Sequence, residues 1–354
     1  MSEPTASEHR RAARPEERSE RGGEPEMTVQ GRRVLVTGAG GFIGSHLVEL
    51  LVTSGATVRA MTHYNGRNDP GLLAPAIRDE VELLPGDITD PFFVRRAVSN
   101  VDIVFHLAAL IAIPYSYTAP ASYVATNVNG TLNVLEAVRD LEIPRLVHTS
   151  TSETYGTARY TPIDEAHPPQ PQSPYSASKL SADFLAESFH RSFGTPVATI
   201  RPFNTYGPRQ SARAVIPTIA AQLVAGRDKI ALGDLRPVRD LTYVTDTARG
   251  FLAVAGADEC VGRVTNVGNG KGITIGDLAH LLAELAGRPD VSIVEESVRL
   301  RPANSEVFEL VADASAARER CGWEPLVPLR EGLAEVLEYV RANLHRYDID
   351  RYTT

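Results

Sequence analysis

The sequence predicts a doubly wound α/β fold followed by a smaller mixed α/β lobe. From Gly31 onward, short apolar segments alternate with segments of helical period, which is typical of parallel strands covered by helices on both faces. The alternation stops near Thr199, where proline and glycine separate short helices and loops. The predicted strands and helices of the first part span residues 34–37, 42–54, 57–61, 81–84, 102–107, 121–140 and 146–149, and an amphipathic helix over 329–344 ends the second part.

The same pattern divides the chain into three parts. Residues 1–30 are rich in Arg, Glu, Pro and Gly and have no apolar run, so we predict a disordered tail that is neither a signal peptide nor a membrane span. Met1 and Met27 are both compatible with a translation start. Residues 31–204 are expected to form the first domain, with 239–264 returning to it. Residues 205–238 and 265–346 are expected to form a second lobe over the carboxyl ends of the strands.

Composition argues against several functional classes. The 354 residues include 36 Lys and Arg against 44 Asp and Glu, and a net charge of −8 does not suit a general nucleic-acid binder, which needs a basic face. Cys260 and Cys321 are far apart in sequence and lack metal-ligand spacing, so neither a disulfide framework nor a metal site is predicted. We therefore expect a cytoplasmic protein without a nucleic-acid or membrane partner.

A glycine-rich turn gives the strongest functional signal. Gly38, Gly41 and Gly44 follow the first predicted strand and open the first predicted helix. Gly38 permits the tight turn, Gly41 lets the backbone approach a pyrophosphate, and Gly44 allows the helix to pack closely on the strand. Together with Phe42 and Ile43 they place a helix N-terminus against phosphate charge, so the sequence predicts a Rossmann-type dinucleotide site.

Further cofactor contacts are expected at the ends of the next strands. Residues 61–67 contain no carboxylate to bind the adenosine ribose of NAD. Thr62 can bond a ribose hydroxyl, whereas His63 or Arg67 can accommodate the 2′-phosphate of NADP, so both cofactors stay open. Asp87 can reach the adenine amine or cap the following helix. The other candidate cofactor contacts are Ile88, Leu107, Ala108 and Ala109.

Tyr175 and Lys179 form the candidate catalytic pair, and both also count as candidate cofactor contacts. They are four residues apart in a segment of helical period, so both side chains lie on one helix face. A tyrosine with its ordinary pKa of about 10 is a poor base at neutral pH. The neighbouring ammonium and a positive nicotinamide ring are expected to lower that pKa, so that Tyr175 removes a hydroxyl proton as hydride leaves the same carbon. The alternative is a surface i,i+4 pair.

A hydroxyl and a carboxylate precede this pair at the end of another predicted strand. Thr151 is a candidate to hold the substrate hydroxyl that Tyr175 attacks, and Ser152 is a candidate substrate contact. Glu153 would add a catalytic carboxylate to the same cleft, because active groups gather at the carboxyl ends of such strands. The alternative for Glu153 is a solvated loop charge.

Arginines near turns of the second lobe are candidates for binding a diphosphate. Guanidinium groups suit this anion, and an amide can donate to one of its oxygens. The candidate substrate contacts are Asn204, Arg209, Arg239 and Arg301, with Arg201 in the same motif as Asn204. Taken singly, each arginine is more often a surface residue, so their recurrence carries the prediction of an anion site.

Taken together, these motifs resemble the extended short-chain dehydrogenases/reductases that act on nucleotide sugars, over residues 32–344. Segments 108–123 and 126–131 look most like UDP-N-acetylglucosamine 4,6-dehydratases of legionaminic-acid type. Residues 151–153 are similar to those of GDP-mannose 4,6-dehydratases, in which the threonine and glutamate serve catalysis. Ser152 stands where many dTDP-glucose dehydratases have aspartate. UDP-glucuronate decarboxylases share Thr-Ser-Glu, and simple 4-epimerases usually lack the glutamate.

The resemblance implies a nucleotide-sugar 4,6-dehydratase that oxidises C4 with bound NAD or NADP. In this hypothesis Tyr175 takes the C4 hydroxyl proton, Glu153 takes the C5 proton, water leaves from C6, and the stored hydride returns there. The alternatives are a UDP-sugar 4-epimerase or a UDP-glucuronate decarboxylase with the same oxidation step and, more remotely, a non-catalytic dinucleotide-binding module. The family also implies a homodimer, expected through the helices over 121–140 and 175–190.

Overall fold

Parallel strands form the central sheet of the computed structural model, which describes residues 28–67, 69–299 and 306–349. The strands are β1 (Arg33–Thr37), β2 (Thr57–His63), β3 (Glu82–Gly86), β4 (Ile103–His106), β5 (Arg145–Thr149), β6 (Val197–Pro202), β7 (Asn204–Tyr206), β8 (Lys229–Leu232), β9 (Val238–Tyr243), β10 (Val264–Val267), β11 (Gly272–Thr274), β12 (Ser292–Glu295) and β13 (Glu309–Leu310). Seven of them pair in the order β10-β6-β5-β4-β1-β2-β3, every pair parallel. The predicted doubly wound α/β fold is thereby confirmed.

Helices cover both faces of this sheet. They are α1 (Phe42–Thr53), α2 (Pro75–Arg78), α3 (Pro91–Val98), α4 (Ile113–Thr118), α5 (Pro120–Tyr123), α6 (Gly130–Asp140), α7 (Pro174–Phe193), α8 (Val215–Val224), α9 (Val244–Gly256), α10 (Ile275–Leu285), α11 (Ser315–Cys321) and α12 (Leu329–Ala342). One core packs α1, α9 and α11 against one face of the sheet, and another packs α3, α6 and α7 against the opposite face. Two buried faces explain why the strands read as continuous apolar runs.

The segment predicted as one helix over 121–140 is instead interrupted. A π-helical stretch, Val124–Asn129, separates α5 from α6. The buried Asn127 in this stretch accepts from the Leu110 backbone N–H at 2.8 Å and donates to the Leu110 carbonyl at 3.0 Å and to Ser178 Oγ at 2.9 Å. These bonds join the loop after β4 to α7. A π-helical turn is wider than an α-helical one, and the spacing of apolar residues in the sequence does not indicate it.

The smaller lobe contains two short sheets and its own core. Strand β9 pairs with β7, β11 and β13, and β8 pairs with β12. The core of the lobe is formed by apolar residues from α8, α10 and α12, with Tyr206 and Tyr243 from its strands. Between β9 and β11 the chain returns to the large sheet as α9 and β10. Helix α9 lies within the predicted return over 239–264, and β10 begins at its last residue. Helix α11 also packs against the large sheet, although its residues fall in the predicted second lobe.

The structure also bears on the predicted tail, the two cysteines and the possibility of a membrane helix or a metal site. Most of the predicted tail, residues 1–27, lies outside the described residues, whereas Val29 is buried against the first core. Cys260 and Cys321, distant in sequence, are buried free thiols: Cys260 Sγ accepts from Thr265 Oγ1 at 3.7 Å, and Cys321 Sγ donates to the Ala317 carbonyl at 3.1 Å. Within the described ranges, no helix is long and apolar enough to cross a membrane, and no cluster of His, Cys, Asp and Glu could hold a metal ion.

Candidate active site

A cavity of about 840 Å³ lies at the carboxyl ends of the central strands and is closed on its far side by the smaller lobe. It begins where the strand order reverses between β1 and β4, the position at which open α/β sheets bind their ligands. The predicted site residues that line it are Gly38, Gly41, Phe42, Ile43, Gly44, Thr62, Leu107, Ala108, Ala109, Thr151, Ser152, Glu153, Tyr175, Lys179, Asn204 and Arg239.

The glycine turn has the shape that a pyrophosphate requires. Gly38 adopts a left-handed conformation with φ of 70°, and a Cβ there would lie 2.8 Å from the Ala108 backbone nitrogen. A Cβ on Gly44 would lie 2.2 Å from the Gly38 carbonyl oxygen, so α1 can begin this close to β1 only without a side chain. Gly41 is the N-cap of α1 and has no side chain to bind the first-turn N–H groups, and the first-turn residues Phe42, Ile43 and Gly44 line the cavity. These residues fit a dinucleotide phosphate.

The loop after β2 brings an unpredicted carboxylate to the cavity. Asn65 Oδ1 accepts from the Asp69 N–H at 3.0 Å, and Asn65 Nδ2 donates to the Asp69 carbonyl at 3.0 Å. Asp69 therefore lines the cavity on the side of Thr62 and His63, whereas Arg67 does not. An acid was expected only within residues 61–67, and none is present there. The sequence signal for Asp69 was Asn65 itself, since asparagine side chains commonly close such loops by bonding to nearby backbone.

Asp87 and Ile88, two predicted cofactor contacts, follow β3 and are not among the residues lining the cavity. Asp87 Oδ1 accepts from the Thr89 N–H at 2.9 Å and from Thr89 Oγ1 at 2.8 Å. The Thr89 backbone bond lowers the pKa of Asp87. The cap of α3 is Asp90, which accepts from Phe92 and Phe93. The carboxylate of Asp87 therefore stabilises the turn before the helix.

Tyr175 and Lys179 lie in the first two turns of α7, both buried at the cavity wall. A capping box between Ser173 and Ser176 fixes where this helix begins. Burial raises the pKa of Tyr175 above its ordinary 10.0, a hydrogen bond with the Thr151 side chain opposes that change, and the charge of Glu153 adds to it. Lys179 was predicted to lower the pKa of Tyr175. With the protein groups alone the pKa is raised instead, because desolvation of the phenolate has the largest effect. Burial lowers the pKa of Lys179 to about 8.

The segment after β5 completes the catalytic group. Thr151 is the N-cap of a short 3₁₀ turn, Ser152–Thr154, and its Oγ1 accepts from the Glu153 N–H at 3.3 Å. This turn places Thr151 at the cavity wall that also contains Tyr175 and leaves the half-buried Glu153 side chain in the cavity. A proton acceptor, a neighbouring hydroxyl and a carboxylate thus share one wall. Such a wall can remove protons from adjacent atoms of a bound substrate.

A buried charge network lies behind this wall. Asp183, one turn after Lys179 on α7, accepts from His148 Nε2 at 3.0 Å, from Ser150 Oγ at 2.5 Å and from Arg201 Nη2 at 2.8 Å. Burial acts to raise the pKa of Asp183, but the hydrogen bond from His148 and the charge of Arg201 outweigh it and lower the pKa. Arg201 is thus committed to an internal carboxylate, and its suggested role as a diphosphate ligand is wrong.

The predicted anion site of the smaller lobe is assembled only in part. Arg239 lines the cavity, with its Nη2 3.2 Å from Glu306 Oε1, and Asn204 lines it beside β9. Arg209 lies away from the cavity lining and donates to Ser45 Oγ at 3.0 Å and to Glu49 Oε2 at 2.8 Å, which ties α1 to the smaller lobe. The predicted contact Arg301 lies outside the described residues. Two arginines that the sequence analysis missed line the cavity: Arg213 and Arg299.

Comparison with known proteins agrees with this architecture. A family model described as GDP-mannose 4,6 dehydratase matches residues 35–336. A dTDP-glucose 4,6-dehydratase of an Actinoplanes species is 34% identical over 319 residues, covering 88% of this chain and 98% of the relative. A UDP-glucose 4-epimerase of Mycolicibacterium smegmatis is 32% identical over 314 residues, covering 87% and 98%. The crystal structure of the dTDP-glucose 4,6-dehydratase DesIV of Streptomyces venezuelae with bound NAD superposes with a TM-score of 0.81 at 30% identity, covering 89% and 99%.

A model match over most of the chain, relatives above 30% identity along nearly their full length and a shared fold all lead to the same assignment. The chain therefore belongs to the GDP-mannose 4,6-dehydratase family, within the extended short-chain dehydrogenases/reductases.

Proposed function

We propose that this chain is an NAD-dependent nucleotide-sugar 4,6-dehydratase, which converts a nucleotide hexose into its 4-keto-6-deoxy form. The observation that carries the proposal is the shared wall on which Thr151, Glu153 and Tyr175 all face the same cavity. A 4-epimerase needs the oxidation pair but has no step for a second base. The presence of Glu153 beside that pair therefore favours dehydration.

The chain's own residues divide the chemistry among them. Bound NAD would supply the hydride acceptor and later donor. Thr151 orients the C4 hydroxyl, Tyr175 accepts its proton, and the Lys179 ammonium stabilises the phenolate. The resulting ketone acidifies the C5 proton, which Glu153 removes before water leaves from C6. The N-terminus of α1 and the loops after β1 and β4 would hold the dinucleotide.

The cofactor proposal rests on Asp69. A carboxylate at the ribose side of the cavity can accept hydrogen bonds from the two hydroxyls of NAD and would repel the 2′-phosphate of NADP. His63 lines the same side but Arg67 does not, so the cationic group best suited to a 2′-phosphate points elsewhere. NAD is accordingly the favoured cofactor.

The substrate proposal rests on the cations of the opposite wall. Arg213, Arg239 and Arg299 line the cavity together with Asn204, in a chain whose net charge is negative. Unlike Arg201 and Arg209, Arg239 and Arg299 line the cavity even though they pair with Glu306 and Glu296. Local cations of this kind can bind a diphosphate despite the acidic balance. Among nucleotide sugars, the sequence resemblance of segments 108–123 and 126–131 favours UDP-N-acetylglucosamine.

We also propose a cytoplasmic homodimer. Val124, which follows α5, and Phe184 and Phe193 on α7 expose 51%, 55% and 56% of their surfaces, and a second copy packed on these helices would cover them. Two unpaired cysteines suit a reducing compartment. The oligomeric state can be measured by light scattering on the purified chain.

The test of the activity is a product assay. The purified chain with NAD is incubated separately with UDP-N-acetylglucosamine, dTDP-glucose, GDP-mannose and UDP-glucuronate. The masses of the products are then measured by mass spectrometry. We expect one substrate to lose the mass of water. Loss of carbon dioxide would identify a decarboxylase, and an unchanged mass with a new stereoisomer would identify an epimerase. Absence of turnover would indicate a dinucleotide-binding module. Each of these three results would overturn the proposal.

A further inference from the structure

The buried carboxylate of Asp183 contacts both parts of the candidate catalytic wall. It lies one helical turn after Lys179 on α7 and bonds to Ser150, the residue before Thr151. Arg201, which also donates to Asp183, lies over the Tyr155 ring with its guanidinium carbon 4.6 Å from the ring centre. Asp183 therefore holds one end of the 151–154 segment directly and the other end through Arg201.

We propose that Asp183 is a positioning residue for C4 oxidation, which keeps Lys179 in its ammonium form and fixes the segment carrying Thr151 and Glu153 against α7. The inference rests on the proposed roles of Tyr175 and Lys179. It assigns to the network a part in the reaction beyond stability. Asp183 itself touches neither the cavity nor, by this proposal, the substrate.

The charges around Lys179 support the electrostatic half of this proposal. Its side chain is buried near His106 of β4 and His148 of β5, and burial lowers the pKa of both imidazoles, which keeps them neutral. Tyr175 lies one turn earlier on the same helix. Asp183 opposes the effect of burial on Lys179 and raises the pKa of Tyr175, because a negative charge favours the protonated form of each neighbour. A single carboxylate thus acts on both members of the pair in the same direction.

The mechanical half follows from the hydrogen bonds. Arg201 Nε donates to Ser150 Oγ at 3.1 Å while Ser150 Oγ donates to Asp183, so the three side chains form a closed ring. The Tyr155 hydroxyl in turn donates to Asn266 Oδ1 at 2.8 Å on β10. Buried rings of satisfied charged groups rigidify their surroundings, and this one lies directly beneath the segment that must present Thr151 to Tyr175.

The experiment measures the pH dependence of cofactor reduction in the full chain loaded with NAD. A Glu153→Gln background is used so that the reaction stops after oxidation, and the substrate is the nucleotide sugar that the product assay identifies. Asp183→Asn removes the charge and keeps the shape. We expect both the acid and the alkaline limb of the profile to move to lower pH by about one unit, because Tyr175 and Lys179 both lose a stabilising negative charge for their protonated forms.

Arg201→Gln is the matched variant of opposite sign. Removing the cation leaves the field of Asp183 less compensated, so both limbs should move to higher pH. Thermal unfolding reports whether each variant folds. If the Asp183→Asn protein does not fold, the Arg201→Gln protein alone tests the inference: a profile shifted to higher pH supports it, and an unshifted profile overturns it.

A folded variant with a slower rate and an unshifted profile would overturn the inference, since a purely structural role predicts that result. Failure of the proposed function looks different. In that case the Glu153→Gln protein with an intact Asp183 would already show no cofactor reduction with any nucleotide sugar.

Discussion

Gly38 and Ala108 approach so closely that a Cβ on the glycine would lie 2.8 Å from the alanine backbone nitrogen. The two residues follow β1 and β4, neighbouring strands whose connections run in opposite directions across the sheet. Their contact therefore sets the width of the crevice at the point where the pyrophosphate is expected.

Gly38→Ala should weaken dinucleotide binding as well as stability, because the new methyl group meets backbone that cannot move aside. Gly287→Ala is the matched control, since Gly287 has a similar φ of 72° but nothing within 4 Å of its Cβ position. We expect the control to cost about 1 kcal/mol of unfolding free energy for the left-handed backbone alone and to retain NAD affinity. Calorimetric titration with NAD and thermal unfolding check both variants. Equal affinities would show that the close approach does not shape the site.

Asp69→Asn should reduce the preference for NAD over NADP. Removing a negative charge at the ribose side lessens the repulsion of a 2′-phosphate, and we expect the ratio of the two dissociation constants to change about ten-fold at low ionic strength. Asp290→Asn, an exposed substitution outside the cavity, should leave the ratio unchanged. Fluorescence titrations with both dinucleotides provide the measurement. A ratio unaffected by Asp69→Asn would place the ribose elsewhere.

Lys179→Met should stabilise the protein while abolishing turnover. Burial depresses the pKa of Lys179 from 10.5 to about 8, so the charged side chain costs folding free energy at neutral pH. At about 1.4 kcal/mol per unit, its replacement should gain up to about 3 kcal/mol. The gain should be full below pH 8 and fade as the pH rises towards 10.5, where the lysine is neutral in both folded and unfolded states.

Urea unfolding of the Lys179→Met protein at several pH values measures this effect. Lys229→Met, at an exposed position on β8, is the control and should show no such pH dependence. A destabilised Lys179→Met protein at neutral pH would mean that the attraction of the Lys179 ammonium to the Asp183 charge and its packing outweigh the cost of burying the charge.

Glu153→Gln should leave C4 oxidation intact and slow the loss of water by at least about a hundred-fold, because the amide cannot accept the C5 proton. Tyr175→Phe should instead prevent oxidation itself. Absorbance of the reduced nicotinamide follows the first step and mass spectrometry of the sugar follows the second. Near-native dehydration by the Glu153→Gln protein would remove Glu153 from the role of base.

Local patterns made much of the fold predictable. The strand, glycine turn and helix over residues 33–53 follow from short-range periodicity and from steric needs that only glycine meets. Tyr175 and Lys179 could be placed on one helix face for the same reason. These features depend on residues within a few positions of each other.

Features that depend on tertiary contacts could not be predicted in this way. Arg201 and Arg209 looked like anion ligands, yet each is neutralised by a carboxylate on a helix, Asp183 of α7 or Glu49 of α1. Arg213 reaches the cavity from the segment before α8 without any motif to mark it. The pKa of Tyr175 likewise depends on the extent of its burial, which sequence spacing does not reveal.

The polypeptide passes repeatedly between the two lobes, since β9 belongs to the smaller one, α9 and β10 to the larger, β11 to the smaller and α11 again to the larger. Neither lobe is therefore formed by one continuous segment of the chain. A truncation after β6 would remove β10, an edge strand of the large sheet, and leave β6 as the new edge, paired only with β5. Separate expression of the lobes should yield aggregation-prone fragments, and any opening of the cleft must bend several connections at once.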